Sequence, residues 1–246
     1  MTKTLILIPS RMAATRLPGK PLLKINNLAM ISHVFKRAEE ANIGEVVVAT
    51  EDQEILEDVL KNGGKAILTQ KNHKTGTDRI YEAYKKLNIK NIDYILNLQG
   101  DEPNIDKGDI INLNNLMTDS ESEIGTLAAI IKDHEMLNNK NIVKVITESK
   151  LEKNNFPEAL DFTRENLIKK DINIYHHIGI YSYKVNTLEK FVGLDQTKNE
   201  KKNKLEQLRA LDNKLKINVS LAKSSPIGVD TEEDYLAIKK IMEYKL

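Results

Sequence analysis

The sequence predicts an α/β fold: a mostly parallel sheet with helices on both faces, three layers in all. Three observations carry this. In the first half, short β-branched or apolar runs alternate with stretches whose apolar residues recur at helical spacing, the pattern of βαβ units around a parallel sheet. The length, 246 residues, lies within the roughly 250 that one α/β unit can reach. Apolar residues make up 40% of the chain, enough for a substantial core, and no repeat or Pro/Gly linker divides it. A single domain spanning residues 1–246 is expected.

The elements follow in order. Leu5 to Ile8 is a short apolar run bounded by Pro9, a buried strand. Ile31, Val34, Phe35, Ala38 and Ala41 fall at helical spacing, and Val46 to Ala49 is the next strand. Ile55, Leu56, Val59 and Leu60 form a helical stripe that stops at Gly63-Gly64. Ala66 to Leu68 is a strand, Ile80, Tyr84 and Leu87 mark a helix, and Tyr94 to Leu98 is a fourth strand. In the less regular second half, Ile124 to Ile131, Val143 to Thr147, Leu160 to Thr163, Ile174 to Tyr183 and Ile217 to Ala222 read as strands, some of them antiparallel. Leu205 to Leu211 reads as helix, Lys198 to Lys204 as a solvated loop, and Thr231 onward as a closing amphipathic helix.

Composition narrows the function. The net charge is +1, so no global field favours nucleic acid or an anionic membrane, and an anionic substrate needs a local basic pocket. The absence of cysteine excludes disulfides, thiolate metal sites and cysteine catalysis. The apolar run near the N-terminus is too short for a signal peptide, and no stretch is long enough to span a bilayer. A soluble, cytoplasmic protein is expected.

In parallel sheets ligands sit beyond the carboxyl ends of the strands, and the sequence is most unusual at three such places. After Ile8 comes Pro9-Ser10-Arg11, then Arg16 and Pro18-Gly19-Lys20. Fixed cations and free backbone N–H groups suit a triphosphate; a solvated basic loop is the plainer reading. The order of a Walker loop is absent. After Leu68, His73-Lys74-Thr75-Gly76-Thr77-Asp78-Arg79 has capping-box spacing at Thr75 and Asp78. Its Gly76 allows close approach of a ligand; an ordinary helix start is the plainer reading. After Leu98, Gly100-Asp101-Glu102-Pro103 offers Asp101 either to a hard cation such as Mg²⁺ or as a cap for the turn. Asp230 precedes the closing helix, where Thr231 and Asp234 again have capping-box spacing. Alternation along Tyr175 to Tyr181 places His177, Gly179 and Tyr181 on one face, a polar row or simply a half-buried strand. Adjacent His176 and His177 point opposite ways, against a zinc pair.

Together these segments resemble the 3-deoxy-manno-octulosonate cytidylyltransferase (CMP-Kdo synthetase) family over nearly the whole length. The resemblance rests on IPSRMAATRLPGKPL at Ile8 to Leu22, ATED at Ala49 to Asp52, HKTGTDR at His73 to Arg79 and NLQGDEP at Asn97 to Pro103. It continues through HHIGIYSY at His176 to Tyr183, LEQLRAL at Leu205 to Leu211 and GVDTEEDY at Gly228 to Tyr235. It implies a nucleotidyltransferase (nucleotide-diphospho-sugar transferase-like) fold with a small antiparallel dimerisation flap within 140–200, and a homodimer. It implies transfer of CMP from CTP to the anomeric hydroxyl of Kdo, or of a related acidic sugar such as 8-amino-Kdo, for lipopolysaccharide synthesis, with Mg²⁺ as cofactor. Arg11 and Lys20 would act on the reacting phosphates, and Asp101 and Asp230 would hold the metal. Pro9, Ser10, Arg16, Gly76, Thr77 and Arg79 would bind the nucleotide. Gln99, Arg164, His177, Tyr181, Glu206 and Gln207 would line the sugar site. The stretch Leu160 to Leu167 departs from the family: Arg164 matches, but the Ile-Pro segment that usually follows is missing.

Two other readings are weighed. CMP-sialate synthesis is disfavoured because that family usually lacks the Leu-Pro-Gly-Lys run found at Leu17 to Lys20. A glycosyltransferase of similar fold would carry Asp-x-Asp after a strand, where this chain has Gly100-Asp101-Glu102.

Overall fold

The computed structural model describes residues 2–13, 16–132, 134–166, 173–223 and 225–243. The chain forms two compact units, one made of Met1–Ile110 with Pro226–Leu246 and the other of Ile111–Ser225.

The first unit is the βαβ array. It runs through β1 (Thr4–Ser10), a short hairpin of β2 (Lys24–Ile25) and β3 (Leu28–Ala29), α1 (Met30–Ala41), β4 (Gly44–Thr50), α2 (Gln53–Lys61), β5 (Ala66–Leu68), α3 (Gly76–Leu87) and β6 (Tyr94–Asn97). The strands pair in parallel in the order β6-β1-β4-β5. Leu5, Ile6, Leu7 and Ile8 are all fully buried, as expected for a strand covered on both faces. Helix α1 packs on β4 and α3 on β1, with Ile31, Val34, Phe35, Ala38 and Ala41 forming the buried stripe of α1. The register aligns Ser10 with Thr50 and Thr50 with Leu68, so the carboxyl ends of β1, β4 and β5 meet at one edge. Helix α4 (Lys107–Ser120) follows, an element beyond those expected; Ile110, Leu113 and Met117 are buried at helical spacing, set among Asn112, Asn114 and Asn115, which equally suit turns.

The second unit contains β7 (Ile124–Ala129), α5 (His134–Asn138), β8 (Lys144–Thr147), β9 (Ala159–Thr163), β10 (Ile174–Lys184), α6 (Val185–Val192), α7 (Lys198–Asn203), α8 (Leu208–Asp212) and β11 (Ile217–Leu221). Here β11 runs parallel to β7, while β10 pairs antiparallel with both β7 and β8, and β8 antiparallel with β9. The chain then returns to the first unit as α9 (Glu232–Glu243). Ile238 of α9 and Val229 join Ile25 and Met30 in a buried cluster, with Leu17 and Tyr235 against it. The Tyr235 hydroxyl donates to the Lys24 carbonyl at 2.7 Å. This seats the start of α9, and with it Asp230, beside the β1 loop.

Two expectations are corrected. Lys198 to Lys204 is not a solvated loop: residues Lys198–Asn203 form α7, started by a capping box between Thr197 and Glu200. Glu200 is buried because Arg209 takes both its oxygens, at 2.9 and 2.6 Å, a partner that composition does not reveal. The regular alternation expected along β10 is broken by a register shift between Ile178 and Tyr181. Thr126 Oγ1 fills the irregularity, 2.7 Å from the Ile180 carbonyl and 3.1 Å from His177 Nε2. A hydroxyl donates one proton; spent on Ile180, it leaves the ring nitrogen as donor and fixes the proton at Nε2.

Candidate functional site

The carboxyl edge of the parallel sheet opens into a cleft of about 330 Å³. Its lining includes Pro9, Ser10, Arg11, Arg16 and Lys20 from the loop after β1, His73 to Gly76 and Arg79 from the start of α3, Gln99 to Asp101 after β6, and Asp230 before α9. The three segments singled out in the sequence are thus brought into one cavity within the first unit. Arg11, Arg16, Lys20, Lys74 and Arg79 make the lining basic, in a chain whose net charge is only +1. Of the loop after β1, Ala14 and Thr15 lie outside the described residues.

Local folding positions each group. The Met12 N–H donates to Asp52 Oδ2 at 2.7 Å, which ties the loop to the end of β4. The Gly19 N–H reaches back to the Met12 carbonyl at 3.0 Å and closes the loop at its base. Gly19 has φ +74°, a left-handed conformation that costs other residues about 1 kcal/mol or more. It starts a single 3₁₀ turn, Lys20–Leu22, which aims Lys20 inward.

Lys20 is the hub. Its Nζ donates to Asp101 Oδ2 at 2.8 Å, to the Val229 carbonyl at 2.7 Å and to Asp230 Oδ1 at 3.3 Å. Arg16 Nη2 holds the other oxygen of Asp230 at 2.6 Å. Asp101 therefore does not cap the turn before Pro103. Its carboxylate faces the cleft, and its carbonyl accepts from the Val229 N–H at 2.9 Å. Next to it, Glu102 is buried, and burial together with the Asp101 charge pushes its carboxyl up to about 8.

At the start of α3 the capping box is formed: Thr75 Oγ1 accepts from the Asp78 N–H at 3.1 Å, and Asp78 Oδ2 from the Thr75 N–H at 3.2 Å. A Cβ on Gly76 would stand 3.2 Å from Pro9 Cγ, so packing against Pro9 joins ligand approach as a reason for glycine there. Two groups expected on the nucleotide are differently placed. Thr77 is buried and is not part of the lining described above. Arg79 reaches the cleft, but its guanidinium is paired with Glu51 and donates to Thr69 Oγ1 at 2.6 Å, so it anchors the site's floor. His73 and Lys74, which open the segment singled out after Leu68, also line the cleft although neither is given a role by the sequence; the signal is their position directly before the Thr75 cap. His73 pairs with Glu82.

Within the second unit, Phe162, His177, Tyr181, Tyr183 and Phe191 form a chain of ring contacts, His177 and Tyr181 lying 5.4 Å apart between centroids. Burial, reinforced by the nearby His176 and Arg164 charges, lowers His177 to about 3, so it is neutral. Burial, with Tyr183 and Glu206 adding, raises Tyr181 above the usual phenol range. His176 turns to Ser225. Arg164 Nη1 donates to the carbonyls of Lys140 and Asn141 at 3.3 and 2.9 Å. Glu206 lies 3.7 Å from Arg209, and Gln207 precedes α8 as its N-cap. Residue 167, which ends the divergent stretch, and residues 168–172 after it lie outside the described residues. Among the described residues, no helix is long and apolar enough to cross a membrane, and no group of three or more His, Asp or Glu could by itself hold a metal ion.

The fold is that of the nucleotidyltransferases. A solved structure described as CMP:2-keto-3-deoxy-manno-octonic acid synthetase complexed with CTP superposes with a TM-score of 0.90 at 34% identity, covering 100% of both chains. A UDP-glucose pyrophosphorylase shares the fold at a TM-score of 0.73 and 18% identity over 100% of both chains. The Cytidylyltransferase family model matches residues 5–217. A 3-deoxy-manno-octulosonate cytidylyltransferase of Rhodopseudomonas palustris (strain BisB18) is 43% identical over 244 residues, 99% of each chain. One of Brucella canis is 44% identical over 233 residues, 94% of this chain and 92% of that one. The chain belongs to the cytidylyltransferase family, among the 3-deoxy-manno-octulosonate cytidylyltransferases.

Proposed function

We propose that this protein transfers CMP from CTP to the anomeric hydroxyl of Kdo, giving CMP-Kdo and pyrophosphate for lipopolysaccharide synthesis. The observation that carries the reading is the cleft, where the Arg11–Lys20 loop faces Asp101 and Asp230 in a chain of this family. The sugar hydroxyl attacks the α-phosphorus: a P–O bond forms, the bond to the β-phosphate breaks, pyrophosphate leaves, and the hydroxyl proton passes to solvent. Arg11, Arg16 and Lys20 hold the triphosphate and offset the charge that builds on the transferring group and on pyrophosphate. Catalysis is then positioning plus electrostatic stabilisation, and no covalent enzyme intermediate is needed. Pro9, Ser10 and the Gly76 turn face the nucleoside, and Arg79 buttresses them through Glu51.

The donor set fits a divalent cation, for which we name Mg²⁺. Two carboxylates from distant parts of the chain already converge on one positive charge, the Lys20 ammonium, and Mg²⁺ is usually held by one or two carboxylates plus substrate phosphates. Asp101 and Asp230 would hold it, and when bound it supplies Lewis-acid stabilisation at the phosphate. Gln99, which lines the cleft, takes the sugar role from the family likeness. Arg164, His177, Tyr181, Glu206 and Gln207 take that role from the family likeness, the neutral His177 and Tyr181 as readers of hydroxyl groups. A single cytidylyltransferase domain with a flap within 140–200, a homodimer and a cytoplasmic location complete the reading.

The test is pyrophosphate release with CTP and Mg²⁺, comparing Kdo, 8-amino-Kdo and sialic acid. Release with Kdo is expected. Release with 8-amino-Kdo alone would move the acceptor to that analogue, and release with none of the three would overturn the reading.

A further inference from the structure

An ammonium has three N–H donors and no more. Those of Lys20 are all spent inside the protein, on Asp101 Oδ2, the Val229 carbonyl and Asp230 Oδ1. In this state Lys20 has no proton to offer a phosphate. The same contacts take one oxygen of each carboxylate that would hold a metal. A divalent ion drawn between the two carboxylates meets the ammonium already there, 2.8 and 3.3 Å from their oxygens. The Lys20 side chain is only 15% exposed and Asp101 29%, so water does little to loosen the first pair. Asp230, 48% exposed, is held on its other oxygen by Arg16.

We infer that Lys20 is a tethered competitor for the cation. Without nucleotide it fills the metal position and keeps the Asp101–Asp230 pair neutralised. A triphosphate draws the ammonium onto its oxygens, and that one movement frees both carboxylates for the metal. Nucleotide and cation therefore bind with positive coupling, and coupling between two ligands is reciprocal. The lysine alternates between two partners of like charge, so the site is never left with unpaired carboxylates. The inference rests on the reading that Asp101 and Asp230 hold the cation.

The experiment is Mn²⁺ binding to the full-length protein without nucleotide, read as free Mn²⁺ by electron paramagnetic resonance. Lys20→Met keeps the chain's length and removes the competitor. It should tighten Mn²⁺ binding by about tenfold, within the usual 5–150-fold span of coupling. Arg11→Gln removes an equal charge from the same cleft that touches neither Asp101 nor Asp230 and should change binding by under about threefold, which separates occupancy of the ligands from general electrostatics. Adding Asp101→Asn to Lys20→Met should erase the gain. Equal Mn²⁺ affinity in wild type and Lys20→Met, both weakened by Asp101→Asn, would overturn the competition while leaving the metal site in place. Binding indifferent to Asp101 in every variant would overturn both. A second measurement needs no variant: the Lys20 ¹⁵Nζ resonance of the wild type should be sharp without ligands and lose its exchange protection as Mg²⁺ fills the site. A signal unchanged at saturating Mg²⁺ contradicts the proposal.

Discussion

Arg209 lies with its guanidinium carbon 4.8 Å from the centre of the Phe191 ring while both oxygens of Glu200 accept from the same guanidinium. The pair is almost fully buried, at 4% and 5% exposure. It joins α7 and α8 to α6, and it explains a helix that looks like a surface loop. Removing Glu200 takes away the two short hydrogen bonds that hold the buried Arg209 guanidinium, which keeps Glu206 at 3.7 Å, at a cost of up to about 3–5 kcal/mol. Glu200→Ala should lower the unfolding free energy by that amount in urea titration. The double variant Glu200→Leu with Arg209→Met should recover most of it, because both charges of the buried pair leave together.

His177 gives the protein a pH-dependent stability. Its pKa is about 3 in the folded state against 6.5 ordinarily. Above pH 6.5 both folded and unfolded forms are neutral. As pH falls below 6.5 only the unfolded form gains the proton, so stability is lost toward acid, by up to about 1.4 kcal/mol per pH unit down to pH 3. Unfolding titrations between pH 7 and 5 should show this slope in the wild type and a shallower one in His177→Gln. Equal slopes in the two proteins would contradict it.

The Thr75 cap carries the loop that lines the cleft. Thr75→Ala loses the acceptor for the Asp78 N–H and should cost about 1 kcal/mol, whereas Thr75→Ser should keep most of it. The same Ala variant should raise the KM for CTP more than it lowers kcat, because His73, Lys74 and Gly76 would no longer be fixed. Steady-state kinetics at varied CTP check this.

Why some of this was legible in the sequence and some not follows from where the partners lie. The β1, β4 and β6 strands are short β-branched or apolar runs, buried over most of their length, and β5 is a half-buried apolar edge strand, so local composition reports all four directly. The cleft was legible because parallel strands bring their carboxyl ends to one edge, and the unusual residues follow three of those strands. Both capping boxes are local signatures and form as spaced, at Thr75 with Asp78 and at Thr231 with Asp234. What was not legible depends on remote pairing. Helix α7 needs Arg209 to bury Glu200, Arg79 is claimed by Glu51, and the β10 irregularity is filled by Thr126. Helix α4 has its apolar stripe, Ile110, Leu113 and Met117, at helical spacing, but the Asn residues around it equally suit turns. The joint grip of Lys20 on Asp101 and Asp230 spans some two hundred residues and leaves no trace in any local pattern.

The identity of the transferred group is the claim on which everything else depends. The direct measurement is parallel incubation of the protein, Mg²⁺ and Kdo with CTP labelled at the α- or the γ-phosphorus. The α-label should appear in a sugar nucleotide and the γ-label, in equal amount, in pyrophosphate, and both transfers should fail in Asp101→Asn. Release of the γ-label as orthophosphate, or an α-label that never reaches the sugar, would contradict cytidylyl transfer.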